Sequence, residues 1–141
     1  MSIKEKQKYL IEEFAILENW EERYKHLIEI GKNLKPFNLE LKTDDRIIKG
    51  CQSKVWLDFN LKNDKLFFNA DADSLLPKGL AAILIRVFSG ELVNEIINSS
   101  IDFIDKIGFH EFLSPSRANG ILAMIKQIKF FAIAYSFKNK N

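Results

Sequence analysis

The feature that most limits what this chain can fold into is a change of hydrophobic period, and its reversal. Val55, Leu57, Phe59 and Leu61 alternate with Lys54, Trp56, Asp58, Asn60 and Lys62. A repeat of two over this length describes a strand with one buried face. Leu66, Phe68, Ala70 and Ala72 continue the repeat. Between the runs stands Asn63-Asp64, which supplies turn chemistry, though weaker than Asn-Gly. The two runs are therefore read as a hairpin. Ile47 and Ile48 are read as part of a preceding strand, which puts residues 50–53 at the turn joining it to the hairpin.

On either side the period is helical. Leu10, Phe14 and Leu17 share one face of a first helix. A second starts at Asn19, a good N-cap residue, with Glu22 at the third position of a capping box. Its stripe is Trp20, Tyr24, Leu27, Ile28 and Gly31, and Pro36 ends it. After the hairpin, Pro77 suits the first turn of a helix. Leu80, Ile83, Leu84, Val87 and Phe88 form its buried face, with Gly90 as C-terminal cap. Short helical pieces follow over about 91–98 and 101–107, the second closed by Gly108. A last helix begins near Ser114-Pro115 and presents Ile121, Met124, Ile125, Ile128, Phe131, Ala132 and Tyr135 along one side. Helices, an antiparallel sheet of about three strands, then helices again make an α+β layer architecture. With 141 residues and no repeat or linker, the whole chain is read as one domain.

Composition excludes several function classes. Lys and Arg number 21 against 19 Asp and Glu, a near-balance without the basic footprint of a nucleic-acid binder. Lysines gather at both ends (Lys4, Lys6, Lys8; Lys138, Lys140), as solvated termini usually do. The N-terminal stretch has no apolar targeting core. The longest apolar run, 80–88, is too short to cross a bilayer and contains Arg86, so no membrane and a cytoplasmic location are expected. The one cysteine cannot form an internal disulfide, in keeping with a reducing compartment. Cys51, His26 and His110 match no zinc-ligand spacing, and no metal or cofactor is expected.

Cys51 is the residue most able to carry chemistry. A thiol on a loop, preceded by Gly50, can change position at little conformational cost, and Gln52 and Ser53 add polar groups beside it. A free cysteine is also commonly a small buried hydrophobe, and residue type alone leaves both readings open. Arg117 falls in the first turn of the last helix, where the dipole favours anions. It either serves an anionic group there or pairs with a surface carboxylate. Gly120, so early in a helix, sacrifices on the order of 1 kcal/mol relative to alanine and hints at close backbone packing; Asn119 beside it is equally unusual. Asp71 and Asp73 are read as ending a strand or capping a helix. Trp56 points away from Val55 and Leu57, either under a helix or toward a partner. His110 is read as a surface histidine, with a Cys51–His110 thiol hydrolase as the enzyme alternative.

The run Ile47-Ile48-Lys49-Gly50-Cys51-Gln52-Ser53-Lys54-Val55-Trp56-Leu57 resembles the signature of the SufE family of sulfur-acceptor proteins. Three weaker matches follow in order: Ala70-Asp71-Ala72-Asp73 with Lys78-Gly79-Leu80, then the segment from Phe103 to Gly108. The third is Leu113-Ser114-Pro115-Ser116-Arg117-Ala118-Asn119-Gly120, with Met124 beyond. The sequence departs from the family at Ala72 and Ser74, and at Leu92-Val93. The resemblance implies a compact α+β fold shared with iron–sulfur scaffold proteins. It implies a sulfur carrier rather than an enzyme, partnered with a pyridoxal-phosphate cysteine desulfurase of the SufS type, whose activity it stimulates, and with the SufBCD scaffold. Carried over by position, the persulfide acceptor is Cys51 and Arg117 supports it. Gly50, Gln52, Ser53, Trp56, Asp73 and Asn119 make up the binding surface around it. The chain is expected to be a monomer or weak homodimer.

Such transfer needs the Cys51 thiolate, of which an ordinary thiol with pKa about 8.5 offers only a few per cent at neutral pH. The expectation is that loop amides and Arg117 supply the missing stabilisation. The loop would flip outward on docking, and between encounters the sulfur would sit in an apolar pocket beneath it. A third reading, besides carrier and hydrolase, is an interaction module with an inert cysteine.

Overall fold

The computed structural model describes residues 1–139; Lys140, named in the terminal lysine cluster, lies outside the described residues. Two helices open the chain, α1 (Ile3–Ala15) and α2 (Trp20–Lys32). Two 3-10 turns, Leu39–Leu41 and Asp44–Arg46, lead to strands β1 (Val55–Lys62) and β2 (Lys65–Ala72). Then come α3 (Leu75–Phe88), β3 (Glu91–Leu92), α4 (Val93–Asn98), α5 (Phe103–Ile107), α6 (Phe109–Phe112) and α7 (Pro115–Asn139). The sheet is antiparallel in the order β1-β2-β3, so the α+β architecture expected from the sequence is the one observed.

The alternation sets the hairpin register. Val55 faces Ala72, Leu57 faces Ala70, Phe59 faces Phe68 and Leu61 faces Leu66. These inward pairs stack cross-strand side chains on the core side. Asn63 and Asp64 both take positive φ, 54° and 62°, the geometry of a tight two-residue turn whose twist matches the strands. The third strand is not where the sequence placed it. Ile47 makes only an isolated bridge to Trp56, and the strand beside β2 is the two-residue β3, inside a segment read as helical. Lys6 ties it to α1 through Glu91 at 2.6 Å.

Helix ends follow local chemistry. Ser2 and Glu5 form a reciprocal capping box at α1, satisfying two amides that the first turn leaves unpaired. At α2 the Asn19 side chain accepts from the Glu22 amide as expected, but the Glu22 carboxylate accepts from the Glu18 amide instead of closing the box. Leu27 and Gly31 are buried as read, whereas Trp20 is exposed, packing edge-on against Tyr24. The second helix stops at Lys32, before Pro36. Gly31 and Gly79 let α2 and α3 meet backbone to backbone. A Cβ on Gly79 would lie 2.3 Å from the Leu27 carbonyl oxygen, a distance no side chain survives.

The central helix α3 buries Leu80, Ile83, Leu84, Val87 and Phe88 between the sheet and the other helices. Gly90 (φ 81°) then turns the chain so that its amide donates to the Leu66 carbonyl at 2.7 Å. Gly108 closes α5 in the left-handed conformation. The inner side of α7 buries Ile121, Met124, Ile125, Ile128 and Ala132. By length and composition, Pro115–Lys138 is long and apolar enough to cross a membrane, which the reading of 80–88 as the longest apolar stretch overlooked. Here, however, the helix is packed against α3 and α4, with that face in the core.

Candidate functional site

The loop carrying Cys51 is pinned at both stems. On the N-terminal side the Ile48 amide donates to the Val55 carbonyl at 2.9 Å, and buried Ile48 anchors the stem in the core. On the C-terminal side the Lys54 amide donates to Asp73 Oδ1 at 3.1 Å. The Asp73 amide in turn donates to the Lys54 carbonyl at 3.0 Å. Ser74 Oγ donates to the same carboxylate oxygen at 3.3 Å, and Ser53 Oγ to Ser74 Oγ at 3.2 Å. Asp73 therefore staples the loop to the start of α3, a role more specific than the strand-ending one expected of it.

Between the stems the loop rests on the first half of α7. Gly50 has φ 98°, and a Cβ there would come within 3.1 Å of the Ala123 methyl. Both the left-handed backbone and the close approach call for glycine. Cys51 follows, half-buried, its Sγ donating to the Gly120 carbonyl at 3.6 Å. A Cβ at Gly120 would stand 3.7 Å from that sulfur. The close packing suggested by a glycine early in the last helix is thus a contact with the thiol. Gly120 and Ala123, three residues apart on one helical face, form the bed on which Gly50 and Cys51 lie.

The electrostatics favour the thiol over the thiolate. Burial pushes the Cys51 pKa above its ordinary value, because a charge is poorly solvated against an apolar helix face. The sulfur's partner is a carbonyl oxygen, which stabilises S–H and repels S⁻. Among the described residues, neither a loop amide nor Arg117 lowers the Cys51 pKa in this conformation. Arg117 is half-buried, its backbone amide donates to Ser114 Oγ at 3.3 Å, and burial alone moves the thiol's pKa. Among the described residues, no hydrogen bond or ion pair engages the Arg117 guanidinium. Beneath the loop Cys51 packs against the edge of the hydrophobic core; it does not line the void of about 10 Å³ under Ile48 and Val55.

Trp56 and Asp71 are cross-strand partners on the outer face of the hairpin. The Lys42 ammonium sits 5.1 Å over the Trp56 ring and 2.7 Å from Asp71 Oδ2, with Lys78 at 3.4 Å from the other oxygen. Burial alone would raise the Asp71 carboxyl, but Lys42, the Ala72 amide and Lys78 together hold it below its ordinary value. Lys42 carried no sequence signal, because it lies in an irregular stretch far from both strands. Gln52 and Asn119 are exposed. His110 pairs with Asp105 at 2.8 Å on the surface, and among the described residues no hydrogen bond joins it to Cys51. The Cys51–His110 pair that a thiol hydrolase requires is not assembled. A polar cavity of about 620 Å³, lined in part by Arg46, Lys49, Asp58 and Tyr135, flanks the N-terminal stem of the loop.

The chain is similar to known proteins in sequence and in fold. Over 125 residues the chain is 39% identical to an uncharacterized SufE-like protein of Rhizobium meliloti, covering 85% of this chain and 89% of that one. A cysteine desulfuration protein SufE of Wigglesworthia glossinidia brevipalpis is 33% identical over 132 residues, 92% of each chain. The solution structure of a hypothetical protein from Thermus thermophilus superposes with a TM-score of 0.76 over 92% of this chain and 94% of the other, at 20% identity, and so shares the fold. The SufE model, described as the Fe-S metabolism associated domain, matches residues 8–132. Because that span holds both stems of the Cys51 loop, the Asp73 staple and the Gly120–Ala123 bed, the chain belongs to the SufE family.

Proposed function

We propose that Cys51 carries sulfur as a persulfide, accepting it from a SufS-type cysteine desulfurase, stimulating that enzyme, and passing it to a SufBCD-type scaffold. The reaction belongs to a reducing, cytoplasmic compartment. The observation that carries the reading is the placement of the sole cysteine on a short loop pinned at both stems and lightly seated on α7. Family membership and the name of the Wigglesworthia relative support the same chemistry.

In the transfer the Cys51 thiolate attacks the outer sulfur of the donor persulfide. A new S–S bond forms to Cys51 while the donor's S–S bond breaks. The bonding pair leaves on the donor's inner sulfur, and the Cys51 proton is released to water or to that departing thiolate. The seated loop keeps Cys51 protonated and shielded, hence slow toward disulfides, alkylating agents and oxidants. Lifting the loop returns Sγ to water and to an ordinary thiol pKa, at the loss of the weak S–H···O contact, the Ser53–Ser74 hydroxyl bond and the apolar packing of Gly50 and Cys51. Activation is thus coupled to docking. Gln52 and Trp56 flank the lifted thiol as partner contacts, and Arg117, one turn before Gly120 and the first cation along α7, is the cation offered to the anion that forms.

The test is mass spectrometry after incubation with a SufS-type desulfurase and cysteine. The protein gains one sulfur atom, mapped to Cys51, and Cys51→Ser abolishes the gain. No gain, or an acyl adduct with ester substrates, overturns the reading.

A further inference from the structure

The helix α7 is apolar on two opposite sides, and only one is accounted for. Its inner stripe fills the core, as described above. On the outer side Phe130, Ile133 and Phe137 stand 60%, 42% and 69% exposed. At about 100° per residue, these three fall in an arc only about 60° wide. Exposed Lys126 continues the arc one turn earlier, and exposed Lys138 lies about 80° beyond its other side; Lys129, about 40° outside the arc, turns inward, its ammonium donating to the Ile97 and Ser99 carbonyls. From Pro115 to Asn139 the helix contains Arg117, Lys126, Lys129 and Lys138 and not one Asp or Glu. The neighbouring concavity of about 650 Å³ extends the apolar surface through Ile101 and Leu122, with Asp102 the one carboxylate on its rim. The SufE match ends at residue 132, so Ile133 and Phe137 lie beyond what the family domain explains.

The charge pattern chooses between occupants. A second copy laid on this face would bring exposed Lys126 and Lys138 against lysines, with no carboxylate on either helix to meet them. A sheet of anionic headgroups answers both lysines at once and needs no matching shape. Protruding aromatics with lysines beside them are the signature of a helix lying in the headgroup–acyl boundary.

We propose that the outer face of α7 rests reversibly on an anionic lipid surface, with Phe130, Ile133 and Phe137 entering the boundary and Lys126 and Lys138 meeting lipid phosphates. The helix does not span: its inner face remains in the protein core. A cytoplasmic leaflet supplies such a surface. The proposal stands apart from the chemistry at Cys51, since the loop rests on Gly120 and Ala123 in the first half of α7 and the aromatic stripe lies in its second half.

The experiment is flotation of the full chain with phosphatidylcholine vesicles, with and without phosphatidylglycerol. Binding is expected only where phosphatidylglycerol is present, and it falls as salt rises. The double variant Phe130→Ser/Phe137→Ser lowers binding at least tenfold. Lys126→Gln and Lys138→Gln lower it about fivefold each. Far-UV circular dichroism and the Cys51 alkylation rate report whether the variants fold; should the double serine variant fail, the lysine variants decide. The proposal is overturned by no binding to the anionic vesicles, or by binding that these substitutions leave unchanged. It is equally overturned by a dimer in sedimentation that the Phe substitutions dissociate, or by preference for an acidic polypeptide, poly-glutamate, over the vesicles.

Discussion

Replacing Gly120 by alanine separates the stability of the fold from the mobility of the loop, and the two should move in opposite practical directions. The new methyl would stand 3.7 Å from Cys51 Sγ, an ordinary van der Waals contact, so no clash offsets the gain in helix propensity of about 1 kcal/mol. The folded state should therefore become more stable by up to that amount. The same methyl adds a buried contact that exists only while the loop is seated. Full burial of one methyl is worth about 0.8 kcal/mol, so the lifted population should fall about fourfold at that limit. Native-state alkylation of Cys51 by iodoacetamide, followed by mass, should slow by about the same factor, and so should sulfur uptake from the desulfurase. In urea strong enough to unfold both proteins the alkylation rates should coincide, which rules out a change in intrinsic thiol chemistry. A variant that is more stable yet alkylated as fast as the parent would refute the idea that reactivity is limited by lifting the sulfur off α7.

Asp73→Ala removes the acceptor for the Lys54 amide and Ser74 hydroxyl. For exposed hydrogen bonds worth about 0.5–1.5 kcal/mol in sum, Cys51 alkylation should accelerate roughly two- to tenfold with little change in the urea midpoint. Gly79→Ala forces a Cβ to 2.3 Å from the Leu27 carbonyl; separating α2 from α3 should cost about 3 kcal/mol or more, seen as a lower urea midpoint. Because burial raises the Cys51 pKa in the folded protein, the unfolded chain loses its thiol proton first as pH rises. Cys51 should then contribute stability below the ordinary thiol pKa and lose it above, so that Cys51→Ser flattens the alkaline limb of a stability–pH curve. Glu13 acts at the other end: its carboxyl is held low, chiefly by the Arg86 guanidinium and also by His26. Its contribution is present above the ordinary carboxylate range and disappears as pH falls through the depressed value, a loss that Glu13→Gln should remove from the acid limb.

Much of the architecture could be read directly because period and packing agreed. The hairpin's register follows from its alternation, since a slip of one residue would turn Val55, Leu57 and their partners out to water. The inner stripe of α7 and the buried face of α3 were legible for the same reason. Two residues are too few to display a period, so β3 passed for the start of a helix, and two isoleucines at 47–48 passed for a strand. Trp20 fitted the helical spacing of α2, but nothing packs over that end of the helix. At the site, a lone cysteine after glycine and a glycine at 120 each carried a signal, yet only the fold could show that they touch. The link from Asp73 to Lys54 joins a strand end to a loop stem, and no local pattern encodes it. The outer stripe of α7 has no signal of its own in the pattern, because Phe130, Ile133 and Phe137 alternate with the apolar residues of the inner stripe.

Between the backbone-pinned stems lie only residues 49–53, held by the side chains of Cys51 and Ser53. At about 3.5 Å per residue, so short a tether, fixed at both feet, can lift its apex on the order of 10 Å and no further. A sulfur donor cannot keep its own atom at the bottom of a deep cleft and still be served by such an arm. Either the donor's cysteine travels part of the way on a segment of its own, or the two bodies must press together until the gap is within that span.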